Sequence, residues 1–507
     1  MKWPSYPVVY EINTLLWLKD LSEKYNRNIT FGNIPDKEYD TFRDLGFDAV
    51  WFMGVWGRSS GALKAALASI DVMGACREAL PGFTEADVVA SPYAVLSYYV
   101  DDRFGGDSGL ARLRAELAAR GILLMLDFVP NHFAVDHQWL SDFPHRLVRG
   151  DVANQRNEPK NYFVAPGTGD IFAHGRDPNY NGWDDTVQID YRHPETRSAM
   201  CREVLRIAEK CDGIRCDMAM LVTNQIFSRT WEKSGGARYR AFYPVLAEFW
   251  PHVVTEAKAS YPDFLMIGEI YWDLEWLLQC QGLDFAYDKK LYDRLRNGDI
   301  AGVNVHLRDA SLEYASRLVR FIENHDEPRA VRIRDWYGNA DGIRFSKAAA
   351  MATLALPGFR LIHQGQMEGY RTKLPVQLGR HPQEQVSDEL ASFYKTLLKE
   401  LREPVFHEGE WEFVFVRPAW DTNPTFGNFI AFLWKHLQER RLVVVNLGET
   451  RSQCSVPCGD PGFVGKQVAL LDAMTGTIYQ RDGDELNSSG MYVDLDPHGY
   501  HLFRYLV

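Results

Sequence analysis

From the N-terminus to about residue 403, short apolar runs alternate with amphipathic stretches of helical spacing. The apolar runs predict strands over 8–18, 47–55, 122–129, 213–219, 264–271, 284–287, 318–322 and 360–364. Between them, 3.6-residue periodicity predicts helices over 35–45, 107–120, 195–210, 237–259, 273–280, 290–316, 342–355 and 386–402. The second run, Phe-Asp-Ala-Val-Trp-Phe-Met-Gly-Val, is almost wholly apolar, as strands of parallel sheets covered on both faces are. Eight β/α alternations define an α/β fold, a parallel (β/α)8 TIM barrel whose loops grow from its C-terminal rim. Residues 56–97 form a polar excursion leading to Tyr93, Tyr98 and Tyr99.

Two segments depart from the alternation. Residues 133–190 lack clear periodicity and are rich in Asn, Gly, Pro, Asp and Trp. Their length exceeds that of ordinary loops, and Phe163, Phe172, Tyr180 and Trp183 supply a small core, so they read as an excursion domain after strand three. After Pro404 the pattern changes to short strands at 411–416, 428–435, 441–447, 466–472, 476–480, 490–495 and 499–506, with no stretch of helix length. That is the signature of a C-terminal antiparallel β-sandwich. The division is therefore 1–132 with 191–403 for the barrel, 133–190 for the excursion and 404–507 for the sandwich.

Composition narrows the function. A chain of 507 residues with 46% apolar and 13% aromatic residues can build a large core, and its 14 Trp and 24 Tyr suit a cleft for flat, hydroxylated rings. The net charge of −12, without a basic block, argues against nucleic acid and anionic membrane surfaces as partners. No apolar run approaches the roughly 20 residues of a membrane span. Seven scattered cysteines and an N-terminus without an apolar leader suggest free thiols and a cytoplasmic protein. The oligomeric state is not legible.

Chemistry gathers at the predicted strand ends. Strand three ends Asp127-Phe128-Val129-Pro130-Asn131-His132 and strand four contains Gly213-Ile214-Arg215-Cys216-Asp217. Strand five ends Gly268-Glu269, and strand seven runs into Asn324-His325-Asp326. Residues two apart on a strand share a face, so Arg215 lies beside Asp217 and favours its ionised form. Glu269 has no cation near in sequence, so its pKa should rise. Singly, each residue has a structural explanation: an Arg–Asp pair, a hydrogen-bonded histidine, a helix-capping acid. Gathering three carboxylates, two imidazoles and a guanidinium in one cleft is costly unless chemistry uses them.

These segments resemble the ordered motifs of the α-amylase superfamily, glycoside hydrolase family thirteen. Asp127–His132, Gly213–Asp217, Gly268-Glu269 and Asn324–Asp326 match most specifically, and the segments at 187–190 and 358–369 more weakly. The similarity runs from about residue 8 to the C-terminus. It implies Asp217 as nucleophile, Glu269 as general acid and base, and Asp326 as the carboxylate gripping sugar hydroxyls. Arg215, His132, His325 and Asp127 would contact substrate, and Tyr98 would stack beneath it, with Tyr99 and Tyr93 as alternatives. The expected activity is retaining hydrolysis of α-glucan or maltooligosaccharide by double displacement. The alternative is α-glucosyl transfer, phosphorolysis or isomerisation, and a non-catalytic carbohydrate-binding protein ranks far below. No cofactor is required, although calcium can bind at Asn131 in this family. Where many relatives carry Lys-His after the nucleophile, this chain has Met220 and Leu221, which suggests a drier acceptor side. Trp56, Trp183, Trp272 and Trp276 fall in or near rim segments, where aromatics serve more often as packing than as sugar platforms.

Overall fold

The computed structural model describes residues 2–232, 234, 247–333 and 341–506. Eight strands close a parallel barrel: β1 (Val8–Asn13), β2 (Ala49–Met53), β3 (Leu123–Phe128), β4 (Gly213–Cys216), β5 (Leu265–Gly268), β6 (Phe285–Tyr287), β7 (Leu318–Arg320) and β8 (Phe359–His363). Each strand pairs with its sequence neighbours, and β1 closes the ring against β8 with Glu11 opposite His363. Alternate residues separate two cores, as the two-residue period of a strand requires. Val9, Trp51, Met125, Ile267, Val319 and Leu361 fill the lumen. Val8, Val50, Leu124, Ile214, Met266 and Ile362 face the surrounding helices. In β4 this parity sends Ile214 and Cys216 outward to the helices, while Arg215 pairs in register with Asp127 of β3.

Several elements differ from the sequence expectation. The first strand stops at Asn13, whose side chain caps a helix over Thr14–Lys24. The apolar run beyond it also fits helical spacing, burying Leu16, Trp17, Leu18 and Leu21. The fourth strand ends at Cys216, and Met218 turns into the left-handed region (φ 41°) ahead of a 3-10 turn over Ala219–Val222. The polar excursion after β2 holds two helices, Ser60–Ala68 and Ile70–Ala79, each capped by a serine hydroxyl. Of the helix expected over 237–259, the described part spans Phe249–Ser260, and residues 235–246 lie outside the described residues.

Between β3 and β4, a hairpin of His132–Ala134 with Thr186–Gln188 forms the base of the excursion, and a second joins Tyr162–Val164 to Ile171–Ala173. The C-terminal segment is a sandwich of unequal layers. A six-stranded antiparallel sheet faces a pair, Ser452–Val456 and Met491–Leu495. The first of these, and the short helices Val405–Glu408 and Gly483–Ser488, are additions to the expected strands-only pattern. Phe429, Leu442, Cys454, Val493 and Phe503 pack between the layers. The other face of the large sheet meets the barrel, where Trp434 donates its indole N–H to the Ala355 carbonyl (2.8 Å).

Candidate active site

The site grows from one buried cation. Arg215 is fully buried, and its guanidinium lies over Tyr93, Trp51 and Tyr287, with its centre 5.2, 5.6 and 5.8 Å from the three rings. Its Nη1 donates to Asp217 Oδ1 (2.5 Å) and its Nη2 contacts Glu269 Oε2 (2.7 Å). Asp326 Oδ2 lies 3.9 Å from the same Nη2. Register explains the convergence: Asp217 N–H bonds the Phe128 carbonyl and Glu269 N–H the Cys216 carbonyl, so the two acids sit one step beyond neighbouring strands. One guanidinium thus serves three carboxylates.

Each acid is held differently. Among the described residues nothing hydrogen-bonds Asp217 Oδ2, which leaves that oxygen open to the cleft while Oδ1 is anchored. Glu269 has both oxygens engaged: Oε2 also accepts from Met218 N–H (2.8 Å), and Oε1 accepts from the Tyr271 hydroxyl (2.6 Å). Asp326 is placed by a turn in which Asn324 Oδ1 accepts the Asp326 and Glu327 N–H groups (both 2.9 Å). Its side chain is 46% exposed and therefore available to a ligand.

Electrostatics follow from burial and these neighbours. Burial pushes the Glu269 carboxyl up to about 7; Arg215 opposes the rise, while Asp217 and Asp326 add to it. Glu269 rises as expected from its lack of a cation near in sequence, although across the barrel Arg215 forks between both acids. Burial raises Asp217 as well, against the pull of Arg215. Asp326 goes the other way. The surrounding protein disfavours its charge, but the His325 imidazole and Arg215 hold it well below the usual carboxylate range. His325 Nε2 lies 2.9 Å from Asp326 Oδ2 and its Nδ1 2.5 Å from Glu11 Oε1. Burial opposes a charge on this ring, yet the two acids outweigh it and push His325 up to about 10.

Two expected substrate contacts are elsewhere. Tyr98 is a core residue: its ring packs against Trp56, Phe128 and Phe133, and its hydroxyl bonds the main chain of Val129. Tyr93, one of the alternatives, lies at the site instead: it stacks on His325 (5.2 Å between ring centres) and hydrogen-bonds its Nε2 (2.8 Å). Asp127 is occupied too, accepting from the Trp51 indole (3.1 Å) and Gly54 N–H (2.7 Å); buried there, it rises to about 6 and supports the site from below. His132 is buried with its Nδ1 3.3 Å from the Asn131 Nδ2 and its ring 5.2 Å from Trp183. Met220 and Leu221 are buried in the core and do not dry an acceptor side. Trp56 is buried, whereas Trp272 and Trp276 are exposed. Glu11, Tyr271 and the placement of Tyr93 were missed. A lone glutamate in the apolar run Val-Val-Tyr-Glu-Ile was the one available signal for Glu11.

The donor set at Asn131 does not fit calcium. Gln188 Nε2 donates into the Asn131 carbonyl (2.8 Å), Asn131 Oδ1 (3.0 Å) and the Ile189 carbonyl (3.1 Å). An amide nitrogen therefore stands where those oxygens converge. The next acid, Asp190, is taken by Arg192 (2.7 and 2.6 Å). Calcium calls for six or more oxygens, normally with carboxylate charge, and this cluster carries no free carboxylate.

A closed (β/α)8 barrel thus gathers three carboxylates around one arginine at its C-terminal rim. The chain belongs to the family described as Alpha amylase, catalytic domain, whose model matches residues 37–412. Among curated proteins it is 22% identical over 479 residues to Alpha-amylase MalA of Haloarcula japonica, covering 91% of this chain and 58% of that protein. It is also 22% identical to Alpha-amylase 2 of Dictyoglomus thermophilum, covering 88% and 70%. The chain thus spans under two thirds of the haloarchaeal relative's length. In fold it is similar to a noncanonic maltogenic α-amylase, AmyB, from Thermotoga neapolitana, with TM-score 0.67, 18% identity and full coverage of both chains. It is likewise similar to the acarbose-complexed α-amylase of Geobacillus thermoleovorans, with TM-score 0.64, 17% identity and coverage of 100% and 99%.

Proposed function

We propose that this chain hydrolyses α-glucosidic bonds of α-glucan or maltooligosaccharides with retention, and needs no metal at Asn131 to do so. Asp217 Oδ2 attacks the anomeric carbon while Glu269 gives its proton to the departing oxygen; Glu269 then takes a proton from the water that releases the sugar. Asp326, charged and reaching the cleft, grips ring hydroxyls, and Tyr93 lies beneath the ring. The observation that carries this is the pair of acids on one guanidinium, one with a free oxygen and the other raised to about 7. Two carboxyls sharing one cation favour the narrow spacing of retaining enzymes, roughly 5–5.5 Å, over the wider gap, roughly 6.5–9.5 Å, of inverting ones. Transfer to a sugar or phosphate loses the support it drew from Met220 and Leu221.

The test is incubation with maltooligosaccharides, sucrose, trehalose and glucose-1-phosphate, with products separated and their first anomer read by NMR. Maltooligosaccharide shortening with the α-anomer formed first is expected. An initial β-anomer refutes double displacement, and products longer than the substrate move the assignment to transfer.

A further inference from the structure

Glu269 does not offer its two oxygens equally. Oε2 faces only donors, the Arg215 guanidinium and the Met218 amide, so a proton on that oxygen would meet other hydrogens. Oε1 faces the Tyr271 hydroxyl, which donates to one lone pair of that oxygen and leaves its other position to carry a proton. The backbone is bent to put that hydroxyl there: Tyr271 is followed by two left-handed, non-glycine residues, Trp272 (φ 66°) and Asp273 (φ 61°), and Asp273 is tied to Lys290. Such conformations persist only where surrounding structure enforces them, and they concentrate at functional sites.

We propose that Tyr271 is a positioning residue for the acid: it marks Glu269 Oε1 as the proton-bearing oxygen and aims that proton at the departing glycosidic oxygen. The inference rests on Glu269 being the acid. In the step it serves, the proton leaves Oε1 for the glycosidic oxygen as the carbon–oxygen bond breaks and the Asp217 Oδ2–carbon bond forms, leaving Glu269 ionised. The Tyr271 hydroxyl then stabilises that ionised form, so it also opposes the rise of Glu269.

The experiment compares Tyr271→Phe with the unaltered protein on maltotetraose, whose leaving group needs a proton, and on α-maltosyl fluoride, whose leaving group does not. Expected are about a tenfold loss in kcat/KM on maltotetraose, the effect of one hydrogen bond to a charged group, an upward move of the alkaline limb, and an unchanged rate on the fluoride. An equal loss on both substrates, or none on either, overturns the proposal. Glu269→Gln run beside it separates the two claims. If it keeps maltotetraose turnover, the acid assignment fails and Tyr271 with it. If it loses maltotetraose turnover but keeps the first-turnover release of fluoride, which precedes the step needing the base, while Tyr271→Phe behaves as wild type, only the Tyr271 role falls.

Discussion

Replacing Glu269 with Gln should stabilise the protein, and only at alkaline pH. Glu269 is 4% exposed, and its pKa moves from an ordinary 4.5 to about 7. At about 1.36 kcal/mol per pH unit, ionising it in the fold costs about 3 kcal/mol more than in the unfolded chain. For a carboxyl raised on folding, the sign is opposite to the usual paired acid. Below pH 4.5 both states are protonated and nothing is lost; stability falls as pH rises from 4.5 to 7 and stays lower beyond. Gln mimics the neutral acid in shape, so the variant should match wild type near pH 5 and exceed it by about 3 kcal/mol near pH 9, about 3 °C in Tm for a chain of this length. Denaturation of both proteins from pH 5 to 9 measures the difference, and kcat should fall about 10²–10⁴-fold at every pH. A stability difference that stays flat with pH, or activity that survives, would show that Glu269 is an ordinary ionised carboxylate.

Asp217→Asn keeps the Arg215 contact through its amide oxygen but removes the attacking charge; turnover should drop at least about 10³-fold with little loss of fold, read by activity beside circular dichroism. Tyr93→Phe and Tyr98→Phe should separate: the first lowers kcat/KM by removing the hydroxyl on His325, whereas the second leaves kinetics intact and costs about 1 kcal/mol for the lost Val129 bond. Equal kinetic effects would put Tyr98 back in the site. Chelation with EDTA should leave activity and Tm unchanged, because the Gln188 amide fills the Asn131 cluster; a loss restored by calcium would contradict that.

The barrel and the identities of its acids were readable from local pattern. An apolar run with β propensity before an amphipathic helix says β/α whatever its surroundings, and alternation along 213–217 already put Arg215 and Asp217 on one face. What local pattern could not supply was which side chains meet across the barrel. Tyr93 and Tyr98 differ little in sequence context; the hairpin of Trp56–Arg58 with Val95–Val100 buries one and leaves the other over Arg215. Glu269 has no cation within reach along the chain, and only the pairing of β4 with β5 carries Arg215 to it. Glu11 and His325 lie 314 residues apart and share a hydrogen bond through closure of the ring. Secondary structure and residue chemistry are properties of neighbours in the chain. The charge state of each acid is a property of its neighbours in space, and strand register alone sets those.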